Sequence, residues 1–178
     1  ATIAEAEMLA LTEAPDVLLA YQPVGPKAKR LLGLIRKYPL TKFSCLVDNE
    51  ERASALAAAF LEDSQTVDVY IDLNVGMNRT GIKPEDAFKL FNFCKTLNGI
   101  QIVGLHAYDG HIRDVDFAER KRRCDEAIQQ ILDLQQKILS HASKKLIIVA
   151  GGSPTFSIHS RRKEIECSPG TFVYWDKG

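Results

Sequence analysis

A chain of 178 residues with 46% hydrophobic and 26% charged residues is long enough to bury one real core, and its composition is ordinary for a soluble globular domain. Lysine plus arginine equals aspartate plus glutamate at 23 each, so no net field draws nucleic acid or an anionic membrane. No apolar run reaches the roughly 18–20 residues that cross a bilayer. Four widely spaced cysteines (Cys45, Cys94, Cys124, Cys167) form no CxxC pair, which argues against a disulfide framework or a zinc site and fits a reducing cytoplasm. No signal peptide is visible, and the chain begins at Ala1 already inside a helix-start signal, so both ends are expected to be cuts in a longer protein.

Thr2-Ile3-Ala4-Glu5 has the spacing of a capping box and predicts a helix over Ala4–Thr12 whose preceding strand is missing. Asp16–Ala20 reads as a short apolar strand, and Pro26 suits the first turn of a helix running to about Tyr38. Phe43–Val47 is the next strand, followed by an N-cap at Asp48-Asn49 for the alanine-rich helix Glu50–Glu62. In Val67–Leu73, β-branched residues alternate with polar ones, the pattern of a strand. Gly76 and Gly81 then let the chain turn tightly around Arg79, holding a permanently charged guanidinium at a strand end.

Lys83-Pro84-Glu85-Asp86 starts a helix to about Leu97 with Ala87, Leu90, Phe91 and Cys94 on one face, and Asn98-Gly99 stops it. The strand Ile100–Ala107 ends in Tyr108-Asp109-Gly110-His111-Ile112-Arg113. A long helix from about Asp116 to Ala142 follows, and its basic run Arg120–Arg123 sits beside Glu119, Asp125 and Glu126, which reads as a solvated face. Leu146–Ala150 is a continuous apolar strand ending in Gly151-Gly152-Ser153-Pro154-Thr155, and Glu164–Pro169 leads through Gly170 into a sixth strand, Thr171–Trp175.

Strand and helix alternate throughout, which implies parallel strands joined by right-handed crossovers. Six strands fit an open doubly wound sheet or a (β/α)8 barrel lacking two units. Polar groups follow nearly every strand, as around a barrel rim, whereas an open sheet concentrates them at one switch point.

The Gly151–Thr155 loop offers closely spaced backbone N–H groups and two hydroxyls, which suits a phosphate, although an ordinary strand-to-helix turn has the same composition. Its spacing is that of neither a Walker loop nor a GxGxxG fingerprint. Ser168-Pro169-Gly170-Thr171 adds N–H donors or is a plain Pro-Gly turn. Tyr108, His111 and Arg113 at one strand end suit a planar aromatic anion; the bland alternative is a solvated surface cluster. Arg79 either joins them or pairs with a surface carboxylate. His106 reads as a core or barrel-interior residue, His141 and His159 as structural, and no metal site is expected from the spacing of His, Asp and Cys.

Asp72–Gly81, with its strand-plus-arginine pattern, resembles the corresponding motif of fold-type III pyridoxal-phosphate enzymes, the alanine racemase-like barrels, and Gly104–His111 resembles their next strand end. Ala150–Phe156 together with Glu166–Asp176 is similar to the D-threonine aldolase / D-serine dehydratase branch. The resemblance covers essentially the whole chain. It implies an α/β fold, a (β/α)8 TIM barrel of the alanine racemase N-terminal type, present here as a partial barrel of about six strands over residues 1–178. The first strands, with the Schiff-base lysine, and a C-terminal β-domain are expected outside this chain.

The resemblance further implies pyridoxal 5′-phosphate as cofactor. Arg79 would meet its phenolic oxygen, Tyr108 its ring face, and Arg113 the region of the pyridine nitrogen. Gly152, Ser153, Gly170 and Thr171 would cradle its phosphate, with His111 as an acid/base group. The implied activity is a lyase acting on D-β-hydroxy amino acids, an aldolase yielding glycine and an aldehyde. A D-serine dehydratase-like deamination, a racemase and a non-catalytic pyridoxal-phosphate carrier are the alternatives. A small amino-acid substrate, no nucleic acid or membrane partner, a homodimer in the cytoplasm, and a divalent metal held beyond Gly178 complete the expectation.

Overall fold

The computed structural model describes residues 2–170. Within them, strands β1 (Asp16–Leu19), β2 (Lys42–Val47), β3 (Val67–Leu73), β4 (Ile100–Ala107), β5 (Ile147–Ala150) and β6 (Ile165–Cys167) form one sheet in sequential order. Helices α1 (Ile3–Leu11), α2 (Pro26–Lys37), α3 (Glu50–Leu61), α4 (Pro84–Cys94) and α5 (Phe117–Ala142) alternate with them, and a 3-10 turn (Ser153–Thr155) and the single-turn α6 (Phe156–His159) lie between β5 and β6. The β1–β2, β2–β3, β4–β5 and β5–β6 pairs are parallel. An order that never reverses has no switch point, so the topology is that of a partial (β/α)8 barrel and the open doubly wound alternative falls away.

The chain folds as two compact units. The first comprises the residues up to Ile71 together with Lys89–Val103. Thr2 and Glu5 cap α1 reciprocally, with Glu5 N–H donating to Thr2 Oγ1 at 3.2 Å, as the capping-box spacing predicts. The Asn49 side chain caps α3 by accepting from Arg52 N–H at 2.9 Å. Phe43–Val47 of β2 are buried without alternation, as expected of a parallel strand covered on both faces. Gly99, at φ +92°, lets the start of β4 approach α3 so closely that a Cβ there would stand 2.3 Å from the Ala57 carbonyl oxygen.

The second unit comprises Asp72–Phe88 and the chain from Gly104 onward. Helix α5 starts at Asp116, whose carboxylate accepts from Glu119 N–H at 2.8 Å, and ends at Ser143 in the left-handed conformation. Cys124, Ala127, Ile128, Ile131, Leu134 and Ile138 form its buried face. Three residues of the basic run are matched by carboxylates, Lys121 with Asp125, Arg122 with Glu119 and Glu126, and Arg123 with Asp114, whereas Arg120 is half-buried with its guanidinium over the Phe117 ring.

One element differs from expectation. The sixth strand is Ile165–Cys167, inside the segment read as a lead-in, while Thr171–Trp175 lies outside the described residues. Three residues are too few to show a period, and buried Ile165 beside exposed Glu166 is the whole of the pattern. Ser168-Pro169-Gly170 therefore follows the C-terminal end of β6, the same end of the sheet as the other polar loops.

Candidate functional site

The polar loops after β3, β4, β5 and β6 all belong to the second unit. At the end of β3 the chain is held by Asn74. Its Oδ1 accepts from the N–H groups of Gly76 (3.1 Å) and Asn78 (3.0 Å), and its Nδ2 donates to Asn78 Oδ1 at 3.0 Å. Asn78 (φ 54°), Gly76 and Gly81 all have positive φ, as the two glycines predict for the turn. The loop closes where Ile82 N–H donates to Asp72 O and Asn74 N–H to Ile82 O, both within hydrogen-bond range at 2.9 and 2.8 Å. Arg79 projects from this frame, exposed, with its guanidinium carbon 5.1 Å from the Tyr108 ring centroid. Among the described residues it has no carboxylate partner, so the surface ion-pair alternative finds no support there.

Tyr108, at the end of β4, is half-buried. A Cβ on Gly152 would stand 2.9 Å from Tyr108 Cε2, and one on Gly110 would stand 2.1 Å from its hydroxyl oxygen. The ring thus lies on the bare backbone of Gly110 and Gly152 with Arg79 over its face. Three strand ends, β3, β4 and β5, meet at this one side chain. His111 lies against the β3 turn, its Nε2 2.5 Å from where a Gly76 Cβ would be, and its buried Nδ1 has no hydrogen-bond partner. Burial first, and then the Arg123 charge, lower its pKa against the opposing pull of Asp109 and Asp114. Arg113 is exposed and its Nε donates to the Gly110 carbonyl at 2.8 Å, which anchors the side chain beside the same turn.

The loop after β5 is more fully bonded than its composition suggests. Gly151 N–H donates to Ala107 O at 3.0 Å, and Gly152 N–H donates to Thr155 Oγ1 at 3.0 Å. The Gly152 N–H therefore points into the protein, and its missing side chain leaves room for the Tyr108 ring. Ser153 opens the 3-10 turn and is partly buried. Ser168 ties the loop after β6 to this one, its hydroxyl donating to Gly151 O at 3.1 Å. Gly170 is exposed with open space where a Cβ would stand, and Thr171 lies outside the described residues.

Two buried polar groupings escaped the sequence reading. His106, placed correctly in the core, has its Nδ1 2.8 Å from Asp72 Oδ1. His159 is indeed buried, and its Nε2 lies 2.7 Å from Asp109 Oδ2 while its Nδ1 faces Arg162 Nη1 at 2.7 Å. A guanidinium can only donate, so Nδ1 holds the lone pair and Nε2 carries the proton that goes to Asp109. The other oxygen of Asp109 accepts from Thr155 Oγ1 at 2.6 Å, and Arg162 is paired with Asp125. The cue in the sequence was weak: Thr155, His159 and Arg162 have helical spacing, but their partner Asp109 is 46 and 50 residues away from the first two.

Asp109, Cys124 and His159 bring donor atoms within 4.8 Å of one another, a potential cation-binding trio that their sequence spacing did not suggest. In the observed network, however, His159 Nε2 carries a proton where a metal needs a lone pair. Burial, reinforced by Asp109, pushes the Cys124 thiol up to about 12, so it too keeps its proton.

The model of the alanine racemase N-terminal domain matches residues 1–177. A D-threo-3-hydroxyaspartate dehydratase of Delftia sp. (strain HT23) is 24% identical over 186 residues, covering 98% of this chain and 47% of that protein. Its structure superposes with a TM-score of 0.80 at 22% identity, covering 97% of this chain and 46% of that one. D-threonine aldolase from Filomicrobium marinum matches with a TM-score of 0.85 at 24% identity, over 97% of this chain and 47% of that one. An alanine racemase-like protein from Idiomarina loihiensis gives a TM-score of 0.77 at 26% identity, over 93% and 44%. The chain thus spans about half the length of the curated relative it matches. With the family model matched across nearly every residue and the strand order of the barrel in place, the chain belongs to the alanine racemase N-terminal domain family, a fold family that binds pyridoxal phosphate.

Proposed function

We propose that the full-length protein is a pyridoxal-phosphate-dependent lyase acting on D-β-hydroxy amino acids by retro-aldol cleavage. The observation that carries the reading is the meeting of Arg79, Tyr108 and Gly152, from three strand ends, around one aromatic face. These features fit the cofactor's parts. A guanidinium without a carboxylate partner among the described residues suits a phenolate oxygen, an aromatic ring suits the pyridine face, and the half-buried Ser153 beside Gly152 brings a hydroxyl suited to a phosphate. When bound, the cofactor supplies an electron sink for negative charge developing at the substrate's Cα.

The chain's own residues then have distinct tasks. The Asn74 frame keeps Arg79 at the rim, and Tyr108 covers one face and excludes water from it. Ser153, Gly170 and Thr171 are assigned to the phosphate with Gly152, and Arg113, anchored on the Gly110 carbonyl, to the pyridine-nitrogen side. His111, held neutral near pH 7 by its lowered pKa, is assigned as the acid/base group, and its buried, unpartnered Nδ1 would have to be uncovered to meet a substrate hydroxyl. The lysine that anchors the cofactor and the metal ligands are assigned to residues before Ala1 and after Gly178, and the working form to a cytoplasmic homodimer.

The similarity to D-threo-3-hydroxyaspartate dehydratase favours a second reading, β-elimination of the hydroxyl. Products separate the two. With D-threonine, cleavage gives glycine and acetaldehyde, whereas dehydration gives 2-oxobutanoate and ammonia. The full-length protein with saturating pyridoxal phosphate is expected to show the visible band of the lysine-bound cofactor and to release glycine. A protein without that band overturns the reading, and 2-oxobutanoate replaces the aldolase with the dehydratase.

A further inference from the structure

Gly152 N–H, Thr155, Asp109, His159, Arg162 and Asp125 form a continuous chain of hydrogen bonds from the loop after β5 to the face of α5. We infer that Asp109 is a positioning residue, which sets the loop after β5 for a phosphate by fixing the direction of every proton in this chain; the inference rests on the cofactor reading above.

The directions follow from the donors. Arg162 has no acceptor atom, so it donates to His159 Nδ1, and His159 must donate from Nε2 to Asp109 Oδ2. Thr155 has one hydroxyl proton, and its shortest partner is Asp109 Oδ1 at 2.6 Å against 3.2 Å for Gly152 O. With that proton committed, Thr155 Oγ1 is left to accept the Gly152 N–H at 3.0 Å. Asp109 and Thr155 are respectively 2% and 0% exposed and His159 1%, so water does not compete for these bonds. The bond from Gly152 fixes the peptide plane on which the Tyr108 ring lies. Asp109 itself stands between Tyr108 and the Gly110-His111 turn, so one carboxylate sets two of the three strand ends. Gly151 adds a steric constraint: a Cβ there would be 2.8 Å from His159 Cδ2.

The polarity makes the idea testable. In Asp109→Asn the side chain keeps one acceptor but turns an amide N–H₂ towards either Thr155 or His159. Facing His159 it meets a donor, and moving the His159 proton to Nδ1 only transfers the conflict to Arg162; facing Thr155 it turns the hydroxyl proton away to Gly152 O, at 3.2 Å. Thr155→Val removes the hydroxyl and orphans the Gly152 N–H, whereas Thr155→Ser keeps both bonds.

The test titrates the full-length apoprotein with inorganic phosphate, pyridoxal phosphate and pyridoxal by calorimetry. Asp109→Asn and Thr155→Val are each expected to weaken phosphate and pyridoxal phosphate by about tenfold or more, leaving pyridoxal within about threefold. Thr155→Ser should stay close to wild type, and the double variant should be no worse than the worse single one. If Asp109→Asn does not fold, the Thr155 pair decides. Equal losses for pyridoxal and pyridoxal phosphate, or identical behaviour of Thr155→Ser and Thr155→Val, overturn the inference, as does a wild type without phosphate affinity. A wild type that binds phosphate with these variant effects but develops no visible band with pyridoxal phosphate leaves the inference standing and removes the cofactor reading.

Discussion

Gly152 shows how the structure can revise the reason for singling out a residue. A glycine in a phosphate loop is ordinarily valued for its exposed N–H, but here that group is bonded inward to Thr155. Its φ is −135°, open to any residue, so the missing Cβ rather than backbone freedom is what matters. Gly152→Ala places a methyl 2.9 Å from Tyr108 Cε2, and the ring must shift. We expect a loss of about 1–3 kcal/mol in unfolding free energy, at least half of it recovered when Tyr108 is also alanine. A cost that persists in the double variant would mean that something other than the ring fills that space. Arg79→Ala is the complementary case: an exposed cation whose contact is a cation–π pair should change stability by no more than about 1 kcal/mol. Its effect should appear in cofactor affinity, and an unchanged dissociation constant would take Arg79 out of the site.

At the scale of elements, the turn after β3 is organised by Asn74 more than by its glycines. The glycines permit the path, while three side-chain hydrogen bonds from Asn74 select it. Asn74→Ala should therefore raise the amide exchange rates of Gly76 and Asn78 by about tenfold or more while Val69 and Ile71 within β3 stay protected. Equal rates in the two proteins would show that the backbone bonds at Ile82 suffice. The same scale shows where local reading succeeds. The bounds of β3 and β4 agree with expectation because each is a long run with clear turn residues beyond it. β6 went unread because a three-residue strand carries no period, and its partners Ile148–Ala150 lie 17 residues back.

For the whole molecule, a parallel α/β fold was legible because alternation of strand and helix is written locally, whereas the barrel came from the family resemblance and the sequential strand order bears it out. The strand-end residues were legible for the same reason, since each follows its strand directly. The pairs Asp72–His106 and Asp109–His159 were not, because nothing local joins residues 34 or 50 apart, and only the fold shows that both carboxylates are buried and matched.

His111 links this buried chemistry to a global property. Its pKa is lower in the folded protein than the ordinary 6.5, chiefly through burial, with Arg123 adding to the shift and Asp109 and Asp114 opposing it. The unfolded chain therefore takes up the proton more readily, so protonation favours unfolding. The stability associated with a neutral His111 is fully present above about 6.5 and is lost as pH falls from there through the lowered folded value. Unfolding free energies of wild type and His111→Gln, measured by denaturant between about pH 7.5 and 5, should converge towards low pH or cross, with wild type the steeper curve. Parallel curves would show that His111 titrates alike in both states. Its Nδ1 would then be reached by water, and the case for it as a poised proton acceptor at the β4 strand end would fail with it.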